Sequence, residues 1–362
     1  MADLLVIGSG SLARSICYSM AACCTSSAQI AVLARSGDRV SEACYISNAR
    51  AALSRRPVRF TPLCGDITSD NTIAGIIAAQ RPQIIISCAS LQSPWEGTRS
   101  PSQWTAFLHD AGFGVTLPLQ SFISVKIAAA IKQHSAASLF VNGCYPDAVN
   151  PLLRSLDLPV LGGIGNTALV AASLQTALGL PDQADLRVLA HHLHLQAPAD
   201  QRREVRAWQG GRPLTNVGVL LGAQRGANRQ ELNAVTGHVS ALVVDSLLTG
   251  SETYTHLPGP QGLPGGYPVR IADHRVELLL PPGITLDDAV AWNQQMAEYD
   301  GVVVTAGGVV RFGAAARAEL ARYLPGLAEG FHATQLGEAC SGLLELRCVL
   351  RGGPAPGAGR VA

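Results

Sequence analysis

An apolar tetrapeptide, Leu4-Leu5-Val6-Ile7, runs directly into Gly8-Ser9-Gly10-Ser11-Leu12-Ala13. No other feature restricts the fold of this chain as much. Arg14–Cys24 then has the pattern of a helix, and Gln29-Ile30-Ala31-Val32-Leu33-Ala34 is a second short apolar run. Strand, glycine turn, helix and strand in that order make a βαβ unit, whose crossover leaves the two strands parallel. In a Gly-x-Gly-x-x-Ala turn the first glycine permits the tight turn and the second lets the backbone approach a pyrophosphate. The small Ala13 allows close packing of helix on strand. The helix N-terminus receives the phosphates. The expectation is a dinucleotide site at Gly8, Gly10, Ser11, Leu12 and Ala13; the competing reading is a glycine turn needed only for packing.

Further apolar runs lie at Val58-Arg59-Phe60, Ile84-Ile85-Ile86-Ser87 and Ser138-Leu139-Phe140-Val141, with helical patterns at about 72–80 and 118–134. Buried strands alternating with helices predict an α/β fold with a doubly wound parallel sheet. After Pro159 the pattern changes. A glycine turn, Gly162–Gly165, leads into a helix at about 166–178, and Leu186–Leu189 is strand-like and ends in a histidine cluster. Arg229–Leu248 reads as a long helix and His256–Gly266 as a Pro/Gly-rich loop. Strands follow near 268–271 and 276–280, then helices near 285–299 and 314–323. The domain organisation read from this is a nucleotide-binding domain at 1–158, a mixed α+β substrate domain at 159–350 and a disordered tail at 351–362.

Composition narrows the function. Of 362 residues, 27 are Lys or Arg and 26 are Asp or Glu, so a net charge of +1 argues against a nucleic-acid partner. The mean hydropathy is +0.22, yet no run of about 18 uninterrupted apolar residues marks a membrane span. The start of the chain has no basic region before its apolar run and is not read as a signal peptide. Nine cysteines at irregular spacing, without a Cys-x-x-Cys, signal neither a zinc site nor a dithiol, so no metal is expected and a reducing, cytoplasmic setting is. Only two of the basic residues are lysines, Lys126 and Lys132, and no tyrosine has a lysine four residues on. Lysine-based hydride chemistry therefore has little to work with.

The second strand ends Ala34-Arg35-Ser36, where an acidic residue would hold a ribose 2′-OH. A guanidinium and a hydroxyl suit a 2′-phosphate instead, so Arg35 and Ser36 favour NADP(H), with NAD the alternative. Ala89 and Ser90 follow the strand at 84–87 and are placed beside the nicotinamide ribose. Asp66 is read either near the adenine or as a helix cap.

Three polar features come from the second half. Asn166 stands at a helix start, as a cap or a substrate contact. His191, His192 and His194 follow a strand. On an extended backbone 192 and 194 share a face and 191 turns away, and one of the three is the candidate general acid and base. Arg229, Asn233 and Thr236 fall near one helical face, as a pocket wall or a seam between domains.

The order of these features resembles the lactate/malate dehydrogenase superfamily over roughly residues 4–300. The glycine turn matches. Val141-Asn142-Gly143-Cys144-Tyr145-Pro146-Asp147 looks like a displaced form of that family's Asn-Pro-x-Asp strand end, which implies a ligand-facing Asn142. Gly162-Gly163-Ile164-Gly165-Asn166 is similar to its Gly-x-Gly-Thr helix start, and Ala190-His191-His192 falls where the family has Gly-Glu-His. The resemblance implies that His192 is the proton donor. The family's next helix carries an aspartate that orients the histidine and an arginine that clamps a substrate carboxylate; Ala168–Ser173 has neither. An acidic substrate would have to meet Arg229, Arg225 or Arg99.

The function expected is hydride transfer between NADP(H) and the C=O group of a small molecule, with His192, Asn166 and Arg229 at the site, in a homodimer. The alternatives are C=N reduction of the imine or opine type, and a sensor that binds nucleotide without turnover.

Overall fold

The computed structural model describes residues 1–352; from residue 353 on, the tail foreseen at 351–362 lies outside the described residues. The first half runs β1 (Leu4–Ile7), α1 (Ser11–Cys23), β2 (Ala28–Ala34), α2 (Gly37–Leu53), β3 (Val58–Cys64), α3 (Asp70–Gln80) and β4 (Ile84–Ser87). It continues with α4 (Glu96–Arg99), α5 (Gln103–Ala111), α6 (Leu117–His134), β5 (Leu139–Asn142), α7 (Pro146–Ser155) and β6 (Gly162–Gly163). The six strands form one parallel sheet in the order β3-β2-β1-β4-β5-β6. The order reverses between β1 and β4, and a crevice opens at their carboxyl ends.

The second half runs α8 (Asn166–Ala177), β7 (Leu186–Leu189), β8 (Arg206–Gln209), β9 (Arg212–Pro213), α9 (Val217–Leu220), α10 (Gly222–Gly226) and α11 (Leu232–Thr249). Then come β10 (Thr253–Pro258), β11 (Gly266–Ala272), β12 (Arg275–Leu278), α12 (Leu286–Asp300), β13 (Val302–Val304), β14 (Val309–Phe312), α13 (Ala314–Tyr323), α14 (Pro325–Ala328), β15 (Phe331–His332) and α15 (Leu336–Leu350). Three small antiparallel sheets result, β7-β8-β9, β10-β11-β12 and β13-β14-β15. The doubly wound sheet followed by mixed α+β structure is the architecture anticipated from the sequence.

The period-two alternation of a strand buried on both faces divides the core. Leu4 and Val6 of β1 enter one layer with Ile16 and Met20 of α1 and Val244 of α11. Leu5 and Ile7 enter the other with Ile73 of α3, Ile123 of α6 and Leu343 of α15. The last helix thus returns to cover the first half. Phe113–His134 and Leu232–Thr249 are long and apolar enough to cross a membrane by length and composition. Both pack into the fold, which accounts for their composition: α6 against α3 and α15, and α11 against α1.

Three readings are corrected. The stretch His256–Pro258 belongs to β10, not to a loop, because it pairs with Gly266–Pro268 of β11. The long helix begins at Leu232, since Asn228 Oδ1 accepts from Gln230 N at 2.8 Å and closes a turn ahead of it. The histidines leave β7 for a single 3₁₀ turn, His192–Leu195, so strand alternation does not set where they point.

Candidate active site

A cleft of about 830 Å³ runs from the β1–α1 turn and the end of β2, past the segment after β4, to the start of α8 and the histidine turn. Gly8, Gly10, Ser11, Leu12, Arg35, Ser36, Ala89, Ser90, Asn166, His192 and Arg229 all line it. Ala13 and Asn142 do not. Ala13 is buried beneath the turn and acts in packing. Asn142 is fully buried and fully engaged. Its Oδ1 accepts from Ser124 Oγ (3.1 Å) and Cys144 N (3.0 Å), and its Nδ2 donates to Asn150 Oδ1 (2.9 Å) and Cys144 O (3.0 Å). It braces the turn that carries Cys144 and Tyr145 and has no atom left for a ligand.

The two glycines of the first turn have different reasons to be glycine. Gly8 sits at φ +127°, and a Cβ there would lie 2.9 Å from Cys88 O. Gly10 has an ordinary φ of −73°, and a Cβ on it would meet nothing within 4 Å. Its bare face borders the cleft, and no side chain caps the α1 N-terminus behind it. Unclaimed N–H groups beside an unobstructed backbone fit a pyrophosphate. Asn233 of α11 donates to Ser11 Oγ at 3.0 Å and ties the second half to this turn. At the end of β2 the lining residues are Ala34, Arg35, Ser36 and Arg39, with no carboxylate among them. Asp66 makes a local turn, accepting from Thr68 N at 2.9 Å.

At the other end the chain leaves β7 and turns sharply. His191 N donates to His194 Nδ1 (2.8 Å), and His194 Nε2 donates to Arg203 O (2.7 Å). The buried His194 ring stacks on Trp292 at 5.6 Å, and burial pushes its pKa down to about 4, so it is neutral and structural. His191 is fully buried. Of the three histidines, only His192 borders the cleft. Phe113 stacks on its ring at 4.6 Å and Tyr145 meets it edge-on at 5.2 Å.

The orienting carboxylate missing from Ala168–Ser173 is supplied by Asp300, the last residue of α12. His192 Nδ1 donates to Asp300 Oδ1 at 3.0 Å, with Oδ2 at 3.2 Å, which leaves Nε2 for a reacting atom. The His192 side chain keeps 17% exposure and that of Asp300 only 6%, so the ring shields the carboxylate from the cleft. Burial opposes charging His192, but the Asp300 charge and hydrogen bond, with Asp147 adding, outweigh it; the imidazole pKa rises despite the opposing Arg229. Burial also works against an ionised Asp300, and His192 overcomes it, holding the carboxyl well below its ordinary range. Tyr145 Oη donates to Asp300 Oδ2 at 2.5 Å. Tyr145 sits in the left-handed region (φ 45°, ψ 53°) ahead of α7, a conformation that costs a non-glycine residue about 1–3 kcal/mol.

Gly165, not Asn166, occupies the cap position of α8, so the side chain of Asn166 is left to the cleft. Arg225 is bound to Glu204 at 2.7 and 2.8 Å, whereas Arg229 and Arg99 line the cleft. Trp95 lines it too; Trp104 is buried and donates to Gln92.

No protein-family profile matches the chain, and no curated protein does. Solved structures do. The malate dehydrogenase of Picrophilus torridus superposes with a TM-score of 0.53 at 12% identity, over 89% of this chain and 99% of that one. The malate dehydrogenase of Salinibacter ruber gives 0.52 at 13%, over 82% and 94%. The lactate dehydrogenase of Eimeria maxima, solved with NADH and oxamate, gives 0.51 at 12%, over 82% and 91%. The chain has the fold of these dehydrogenases.

Proposed function

We propose that this chain is a nicotinamide-dinucleotide-dependent oxidoreductase that moves hydride to or from the carbon of a C=O group, with His192 as proton donor and acceptor and NADP(H) as the preferred dinucleotide. One observation carries the reading: a histidine backed by a buried carboxylate opens into the same cleft as the glycine turn after β1. The likeness to an enzyme solved with NADH and oxamate supports it.

Gly10 and the α1 N-terminus would hold the pyrophosphate, and Arg35, Ser36 and Arg39 would meet a 2′-phosphate. The dinucleotide, when bound, supplies or takes the hydride. In reduction, His192 gives its Nε2 proton to the oxygen of the C=O group as its carbon gains hydride; oxidation runs the same transfers backwards. Asp300 fixes the ring through Nδ1 and stabilises the imidazolium that gives up the proton. Phe113 and Leu169 border this end of the cleft with apolar surface, and Arg229 meets an acidic group on the substrate. A sensor without turnover is the weaker reading, because the orienting carboxylate is present.

The test uses NADPH and NADH with a panel of aldehydes, ketones and oxo acids. His192→Ala lowers reductive turnover by about 10²-fold or more while nucleotide binding, read as thermal stabilisation, survives; unchanged turnover sinks the assignment. In the same assay Arg35→Ala weakens NADPH far more than NADH, and equal losses would remove the 2′-phosphate role.

A further inference from the structure

Asp300 has two carboxylate oxygens, and His192 alone does not choose between them. Its Nδ1 lies 3.0 Å from Oδ1 and 3.2 Å from Oδ2. The terminal torsion of an aspartate is broad, so a carboxylate held by one donor can turn and take the ring with it. Tyr145 supplies the second hold. Its Oη donates to Oδ2 at 2.5 Å, whereas His191 Nδ1, 3.6 Å from the same oxygen, is beyond hydrogen-bond reach. Among the described residues no other side chain donates to this carboxylate.

A buried phenol needs a partner, and that need alone would explain one hydrogen bond. The backbone points further. Tyr145 is left-handed and stands directly before Pro146, where a residue is ordinarily extended. Such a conformation persists only where its surroundings over-determine it. Here Asn142 holds both the N–H and the C=O of Cys144 at 3.0 Å, and Tyr145 O accepts from Val149 N at 2.9 Å. The rings point the same way. Tyr145 meets His192 edge-on at 5.2 Å, and Phe113 packs against both, edge-on to Tyr145 at 4.8 Å and stacked on His192 at 4.6 Å. Burial and the Asp300 charge push the phenol pKa up, so it keeps its proton and stays a donor.

We propose that Tyr145 is a positioning residue for the proton transfer: its hydroxyl takes Oδ2 of Asp300, which fixes Oδ1 on His192 Nδ1 and keeps Nε2 of the ring toward the cleft. The proposal rests on the reading of His192 as proton donor and acceptor. Two donors on two oxygens fix the plane of the carboxylate, and the carboxylate fixes the ring. Phe113 closes the stacked face of the imidazole. Tyr145 acts through Asp300, and its hydroxyl is spent there.

Nuclear magnetic resonance of the unaltered protein, labelled in tyrosine and histidine rings, tests this without turnover. The Tyr145 hydroxyl proton and the His192 Nδ1 proton both give downfield signals protected from exchange with water. A Tyr145 hydroxyl proton that exchanges freely overturns the proposal. Tyr145→Phe keeps the ring contacts and removes the donor. In this variant the His192 Nδ1 proton moves upfield and exchanges faster; an unmoved signal shows that the phenol does no more than fill space and overturns the proposal. In the reduction assay the same variant loses about tenfold or more in kcat with KM little changed. A rise in KM at unchanged kcat places the phenol on the substrate and overturns the positioning role. If His192→Ala leaves turnover intact, the acid–base reading fails while both proton signals can still be read in the unaltered protein, so the two failures are distinct.

Discussion

A side chain that delivers a proton, the role proposed for His192, needs a charge behind it that does not take the proton for itself. Asp300 meets that need because His192 covers it and holds its pKa low. The two shifts have opposite signs in pH. His192 is raised above its ordinary 6.5, so its contribution to stability is complete below that value and is lost as pH rises through the raised pKa. Asp300 is lowered from 3.8, so its contribution is present above that value and is lost as pH falls through the lowered pKa. Asp300→Asn therefore destabilises most between about pH 4 and 6.5 and less in alkali, read by denaturant titration at the two ends. It also cuts reductive turnover by about 10²-fold, and the fall in rate with rising pH begins at lower pH than in the parent. A rate that falls off at the same pH in both proteins would show that Asp300 does not hold the proton on His192. The partner of His192 was not legible in the sequence, because Asp300 stands 108 residues away at a helix end with no motif around it. His192 was legible from its place after a strand. The resemblance singled it out from His191 and His194; strand alternation could not, since a 3₁₀ turn replaces it.

At the scale of elements, the β1–α1 unit combines a packing constraint with the proposed binding one. Gly8→Ala places a methyl against Cys88 O at a φ that alanine resists, and is expected to cost at least about 1 kcal/mol of stability by denaturant titration. Gly10→Ala has space and an ordinary φ, so stability is unchanged or slightly raised while thermal stabilisation by NADPH is lost. If Gly10→Ala binds NADPH like the parent, the turn is a packing device only. The first-half elements were readable because apolar runs alternate there with helical patterns and a glycine turn. The last short strands were not. Strands β13, β14 and β15 are two to four residues long and exist through pairing with one another. Helix α7 contains Pro151, and β10 ends in Pro258, so local signals argued against both.

The molecule as a whole is held together by elements distant in sequence. α15 is the last described helix, yet Leu343 lies fully buried in the layer that Leu5, Ile73 and Ile123 supply from the first half. From the same helix Arg347 donates to Leu91 O, and just beyond it Arg351 pairs with Glu96. The segment after β4 that lines the cleft is therefore held by the far end of the chain. Two core layers that join both halves predict one unfolding event. Leu343→Ala removes buried methyl groups where the surrounding helices cannot close the gap, and should cost about 2–5 kcal/mol. Because the lost contacts join the two ends of the chain, the sheet and the second half should unfold together at lower denaturant, with NADPH raising the single midpoint. A loss below about 1 kcal/mol, or a separate early transition confined to the last helix, would show that α15 covers the sheet without bearing on its stability.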